Sequence, residues 1–344
     1  TIDVAHGHSR SLREICDTHP DLLFAGVRTL PYQGKVLCVA APLSIQLHPR
    51  KEEAVRLRRQ NPAEYPDEEP KNEAGIALTR VELLYGYRPV EQILDAISQN
   101  PEFRELLGKV AESSREWAMK HQTEFLRAVT AAILAADEET ITRCSTQLYE
   151  RLTDFVDDGL GPEDSWILKL KEFYPNGDAG LFFFFVLNLV VLEPGESLAI
   201  PVGRLHAYLS GQLIEIMQSG DNVIRVAMTS KFKDPAEVMV CGEFESIDLT
   251  ALIGKGSYAS DARRCYSFPP FDFRVESYDD PGTFEIQPSA VPQFFVSLGG
   301  VGSLTAPGDH ALSMVSCDAA IYPATEDGGS LTITSGRFIC FRMQ

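Results

Sequence analysis

The chain has 344 residues, a length that suits two or three domains better than a single core. Its 49 acidic residues against 31 basic ones give a formal net charge of −18, which argues against nucleic acid or an anionic membrane as a partner. Seven cysteines, odd in number and without a C-x-x-C pair, fit reduced thiols in a cytoplasmic protein rather than a disulfide framework or a cysteine zinc site.

The first residues carry no signal-peptide pattern, and a start at Thr1 rather than Met fits a native N-terminus lying upstream. Residues 20–50 read as short strands, with β-branched runs between Pro and Gly breaks. Within them "SIQLHP" (44–49) alternates, so in a strand Gln46 and His48 share one face while Ile45 and Leu47 pack on the other. A half-buried strand with a polar face accounts for that pair unless further ligands stand elsewhere. Residues 52–60 and about 90–172 carry apolar residues at helical spacing, such as Ile93, Ile97, Phe103, Leu106 and Leu107. Pro101 suits the first turn of one helix, and Asp137 or Thr140 the cap of another.

"YPNGDAG" (174–180) reads as a loop. The apolar run "LFFFFVLNLVVL" (181–192) is too short to span a bilayer and contains Asn188; it is expected as a buried strand pair or one long bent strand. Beyond it the chain alternates strands with turns such as "EPGE", "SGDN", "GKGS" and "EDGG". In "LIEIMQSGDNVIRVAM" (213–228) two apolar strands flank a turn, and a three-residue hairpin would set Glu215 opposite Arg225. The simplest architecture is mainly β with one helical insertion, and the last hundred residues could form a second sandwich.

"GESLAIPVGRLHAYLS" (195–210) carries Pro201-x-Gly203-x-x-His206 and matches the second half-motif of cupin barrels, with Ser210 where Asn is usual. A closed jelly-roll sheet leaves a lumen in which inward side chains can meet a ligand. His206 gives Gln46 and His48 a partner, and Glu73 in "PKNEAGIALT" (70–79) offers a carboxylate just before an apolar strand. Imidazole nitrogens and a carboxylate oxygen suit zinc, with the Gln amide oxygen a weak neutral ligand. One carboxylate against a divalent ion leaves net positive charge, which favours an anionic intermediate.

"SIQLHPRK", "YPDEEPKNEAGIALT", "LLYGYRP" and "LEPGESLAIPVGRLHAYLSGQLIEIMQSGDNVIRVAMTSKFKD" together resemble type I phosphomannose isomerases, in order and over about residues 20–90 and 175–235. The resemblance implies two cupin/jelly-roll barrels plus an α-helical domain. It divides the chain into a first part of the catalytic cupin domain (1–89), a helical domain (90–174), the second part of the catalytic cupin domain (175–240) and a second cupin domain (241–344). It implies one Zn²⁺ per chain on Gln46, His48, Glu73 and His206. Arg225, Glu215 and Lys71 become the catalytic candidates, and Ser44, Lys71 and Lys231 the substrate-binding ones. The implied reaction is the zinc-dependent interconversion of mannose 6-phosphate and fructose 6-phosphate through an enediolate, in the cytoplasmic carbohydrate metabolism that leads to GDP-mannose. Glu215, Lys71 and metal-bound solvent stand as alternatives for the proton carrier. The implied partner is a small sugar phosphate, with no nucleic acid and no membrane, and the oligomeric state stays open.

The sequence departs from that family at three places. Pro70 stands where the H-K-P-E motif has His, Arg50 stands where H-P-D-K has an acid, and the opening W-x-G-x-H-P segment is missing. Two other readings follow: a sugar-phosphate-binding paralogue with impaired turnover, and a cupin dioxygenase holding iron on His48, Glu73 and His206.

Overall fold

A computed structural model describes residues 31–343 except 157–158, 250–251, 261, 270, 307–309 and 325–327, and within the first 30 it describes 2–4, 8–10, 14 and 17–18. The expected strand content of 20–30 therefore lies outside the described residues. Two short strands, β1 (Ile2–Val4) and β2 (His8–Arg10), pair with each other. There follow β3 (Tyr32–Val39), β4 (Ile45–Leu47), α1 (Lys51–Gln60), β5 (Glu73–Ala77) and β6 (Val81–Tyr87). The helical stretch holds α2 (Val90–Gln99), α3 (Pro101–Leu107), α4 (Arg115–Lys120), α5 (Gln122–Ala135), α6 (Glu138–Asp154), α7 (Pro162–Leu170) and α8 (Gly180–Phe183). Then come β7 (Leu187–Leu192), β8 (Ser197–Ile200), β9 (His206–Gln218), β10 (Ile224–Ala227) and α9 (Pro235–Cys241).

The chain forms two compact units, one of residues 36–214 with 220–253, the other of 1–35, 215–219 and 254–344. In the first, an antiparallel sheet runs β10-β4-β9-β5-β8, with β3 and β6 also on β9 and β7 on β6. β6 explains why this sheet reads as continuous apolar sequence. Its Leu84 and Tyr87 pack with Ile93, Phe103 and Phe125 of the helices, while Val81, Leu83 and Tyr85 pack with Val190, Leu198 and Tyr208 of the sheet's other face. Both faces are covered, so both must be apolar.

The helices form where their spacing predicts. Asp137 caps α6 by accepting the Thr140 N–H at 2.8 Å, and Pro101 occupies the first turn of α3. The aromatic run departs from expectation. Its start is α8, a short helix with Leu181, Phe182 and Phe183 wholly buried, and only 187–192 is a strand. A segment buried on all sides loses the periodicity that tells a helix from a strand.

The hairpin at 213–228 also does not form. β10 pairs with β4, so Arg225 lies opposite Gln46 and not opposite Glu215. The connection is tied to residues 67–70: Asp221 N–H donates to Asp67 Oδ2 at 2.7 Å, and a Cβ on Gly220 would come within 2.5 Å of the Pro70 carbonyl oxygen. That anchoring leads the chain away from its own strand and across to β4.

The second unit contains β11 (Ser257–Ser260), β12 (Arg263–Ser267), β13 (Phe273–Tyr278), β14 (Gly282–Ile286), β15 (Gln293–Ala306), β16 (His310–Met314), β17 (Ala319–Tyr322) and β18 (Gly329–Met343). They run β11-β12-β13-β18-β15-β16, with β14 on β18 and β17 on β15, around a core that includes Phe295, Phe338 and Leu304. Among the described residues the molecule is mainly β with a helical portion and, besides the β1–β2 pair, two eight-stranded antiparallel sheets, a cupin-like fold as the sequence implies.

Candidate metal centre

Three ladder registers set the site. Arg225 of β10 faces Gln46 of β4, Gln46 faces His206 of β9, and His206 faces Tyr85 of β6. Directly paired residues share a sheet face, so these four side chains form one row. His48 stands one pleat beyond Gln46 and is fully buried. Gly203, with φ of +79°, makes the left-handed turn that delivers the chain into β9 at His206.

His48, Glu73 and His206 present ligand atoms that all lie within 4.8 Å of one another. Nε2 of His48 is 3.3 Å from Glu73 Oε1, and Nε2 of His206 is 3.5 Å from Oε2. The far side of each ring is fixed by a main-chain carbonyl: Nδ1 of His48 donates to Asn222 O at 2.8 Å, and Nδ1 of His206 to Arg204 O at 3.0 Å. A carbonyl only accepts, so each Nδ1 carries the hydrogen and each neutral ring turns an Nε2 lone pair toward the carboxylate. Both Nε2 atoms are buried without a hydrogen-bond partner. Two lone pairs and a carboxylate facing one another repel unless a cation sits among them, and carbonyl-oriented histidines are the usual support of a metal ligand. The donor set fits zinc.

Burial pushes the His48 imidazole below its ordinary range and so keeps it in the metal-binding form. Burial alone would raise the Glu73 carboxyl, but attraction and hydrogen bonds from His48 and His206, which those rings supply only when protonated, together with the Lys71 ammonium, outweigh it and hold the group well below the usual carboxylate range. Both shifts have the same sign for stability. As pH falls through about 6.5 the unfolded chain takes up a proton that folded His48 refuses, and Glu73 repeats this from about 4.5 downward. Stability is complete above those values and is lost as pH falls. The metal-free protein should therefore melt at lower temperature at about pH 5.5 than at about pH 7.5. A melting temperature independent of pH over that interval would contradict buried neutral His48.

The remaining sequence candidates fall at different places. Ser44 Oγ donates to Gln46 Oε1 at 2.9 Å and so holds the amide oxygen. Lys71 is buried with Nζ 2.9 Å from Glu73 Oε1. Arg225 is half-buried, and its guanidinium has no carboxylate partner among the described residues. Lys231 is exposed on the loop after β10. Glu215 is buried, and its Oε2 lies 2.6 Å from Lys35 Nζ.

Of the departures from the family pattern, Arg50 has contacts of its own, and Asn72, between Lys71 and Glu73, has another. Arg50 reaches Glu243 at 2.6 Å and the Cys241 carbonyl at 3.1 Å. Asn72 Oδ1 accepts the Val202 N–H at 3.0 Å. The supports of the two histidines escape a sequence reading because they are backbone oxygens. Asn222 is itself wholly buried, its Nδ2 donating to Asp67 O at 2.8 Å.

Residues 9–90 match the family model described as phosphomannose isomerase type I, catalytic domain. The chain is 32% identical over 333 residues to mannose-6-phosphate isomerase of Mus musculus, covering 92% of this chain and 78% of that protein. It is 34% identical over 284 residues to mannose-6-phosphate isomerase of Homo sapiens, and there it spans 62% of the relative's length. Among solved structures, a variant of phosphomannose isomerase from Salmonella typhimurium superposes with a TM-score of 0.84 at 24% identity, covering 98% of this chain and 86% of that one. A zinc-bound mannose 6-phosphate isomerase gives 0.82 at 24% identity, with 98% and 86% covered.

Proposed function

The chain belongs to the mannose-6-phosphate isomerase family, and on that premise we propose that it is a zinc-dependent aldose–ketose isomerase interconverting mannose 6-phosphate and fructose 6-phosphate. The observation that carries this reading is the buried His48–Glu73–His206 group, whose unpartnered Nε2 atoms converge on one carboxylate. Gln46 completes the ligand set from the neighbouring pleat. The same reading assigns residues 1–89 and 175–240 to a catalytic cupin domain, 90–174 to a helical domain and 241–344 to a second cupin domain, in a cytoplasmic protein.

Bound zinc supplies Lewis acidity to the sugar oxygens. Arg225, always charged and forked, offsets the negative charge that develops on the enediolate oxygens. No carboxylate among the described residues pairs with it, in a chain with a net charge of −18, which leaves that charge for the substrate. Lys71 and Lys231 balance the phosphate, Ser44 keeps the Gln46 amide oriented, and Glu215 or Lys71 carries the proton between C1 and C2.

A coupled assay of mannose 6-phosphate isomerisation tests this, with and without chelator. Turnover that vanishes on metal removal and returns with zinc is expected. Substrate binding without turnover would instead favour a non-catalytic paralogue, and iron content with no isomerase activity an oxygenase.

Lys71→Met should raise KM, lower kcat, or both, because it removes a buried cation beside the ligand carboxylate. Zinc content should survive, since the imidazoles and Glu73 are untouched. Kinetics equal to wild type at subsaturating substrate would remove Lys71 from the site.

A further inference from the structure

The second unit carries an uncompensated cluster of arginines. In its sheet Arg274 of β13 is paired directly with Arg342 of β18, two like charges on one face. Such a pair is destabilising without a counter-charge. The same face holds Glu276, two residues along from Arg274, and this carboxylate is almost wholly buried. Arg342 Nη2 donates to Glu276 Oε1 at 2.8 Å, while Arg274 Nε stands 3.0 Å from that oxygen. The other oxygen accepts the Tyr278 hydroxyl at 2.6 Å and lies 3.6 Å from Arg263 Nε. Three guanidinium groups thus share one carboxylate and leave two positive charges over. The Nε atoms of Arg263, Arg274 and Arg342 are buried without a hydrogen-bond partner.

Beside this cluster lies a cavity of about 530 Å³, walled by Arg274, Arg342, Met343 and the loop 288–291. Its size is that of a small-molecule site. Arg274 and Arg342, the two of the three that wall it, present forked guanidinium donors that suit a phosphate monoester, close to a dianion at neutral pH with three acceptor oxygens, better than a monoanionic carboxylate with two.

We propose that this cavity binds the phosphate group of a small monoester, a sugar phosphate or a nucleoside monophosphate, at a site that shares no residue with the metal centre. The inference does not depend on isomerase activity.

The test is calorimetric titration of inorganic phosphate into the full-length, zinc-loaded chain. The double variant Lys71→Met, Lys231→Met, which removes the cations assigned to the substrate phosphate at the metal centre, should retain a phosphate site, because the second-unit arginines are untouched. Arg342→Gln should weaken that site at least about tenfold, the loss expected for one charge-assisted contact. Ala290→Asp adds a negative charge on an exposed loop residue, leaves the buried cluster intact and should weaken binding similarly; it decides the matter if Arg342→Gln fails to fold. In the Lys71→Met, Lys231→Met background, displacement of phosphate by glucose 6-phosphate supports a sugar ester, and by adenosine monophosphate a nucleotide. The proposal is overturned if Ala290→Asp binds phosphate like wild type, if the Lys71→Met, Lys231→Met variant binds no phosphate, or if neither ester displaces it.

Discussion

His206→Ala or His48→Ala should strip zinc from the protein and reduce isomerase turnover to background. Each change removes a nitrogen ligand from a wholly buried position and leaves Glu73 with a cavity at its side. Gln46→Ala should retain more metal, because a neutral amide oxygen already engaged by Ser44 contributes less to affinity than an imidazole. Asn222→Ala extends the test one layer outward. The Asn222 carbonyl orients His48, and its amide side chain ties that carbonyl to Asp67. Loosening an outer partner of this kind typically costs about 10–100-fold in metal affinity or activity. Metal content and turnover measured on the same preparations give the ranking: histidines first, Asn222 and Gln46 after. A fully active metal-free protein would end the zinc reading, and so would a Gln46 variant that loses metal more readily than either histidine variant.

Arg225→Ala should keep both zinc and fold and lose at least ~10²-fold in kcat, the loss seen when a donor to developing negative charge is removed. The register makes this a clean experiment. Arg225 shares a row with Gln46 and His206, yet no carboxylate among the described residues pairs with it, so its removal strands no buried charge. Breaking a buried salt bridge would instead cost about 3–5 kcal/mol of stability. Circular dichroism and zinc content on the turnover sample separate the outcomes. Arg225→Lys should recover only part of the rate, since an ammonium keeps the charge without the planar fork. An unfolded Arg225→Ala protein would show a structural role, and a folded, fully active one would remove the residue from the reaction.

The sequence by itself determined the local matters. Alternation in "SIQLHP" put Gln46 and His48 on one face, the Pro-x-Gly turn announced His206, and helical spacing with Asp137 and Pro101 marked the insertion. These signals survive because they depend on neighbours a few residues away. The three residues whose ligand atoms converge in the structure, His48, Glu73 and His206, were legible for the same reason: few residue types can hold zinc, and short motifs carried them.

Only the tertiary structure decided what depends on distant partners. The expected pairing of Glu215 with Arg225 rested on proximity in sequence, but anchoring at Asp67 and Pro70 sends β10 to β4, which puts Arg225 beside Gln46. The aromatic run 181–187 gave no periodicity because its burial is complete, so its helical start needed the surrounding core to choose it. The carbonyls of Asn222 and Arg204 that aim the two imidazoles are backbone atoms every residue possesses, and no side-chain pattern can announce them. Likewise the three arginines around Glu276 come from β12, β13 and β18, and only strand pairing brings them to one carboxylate.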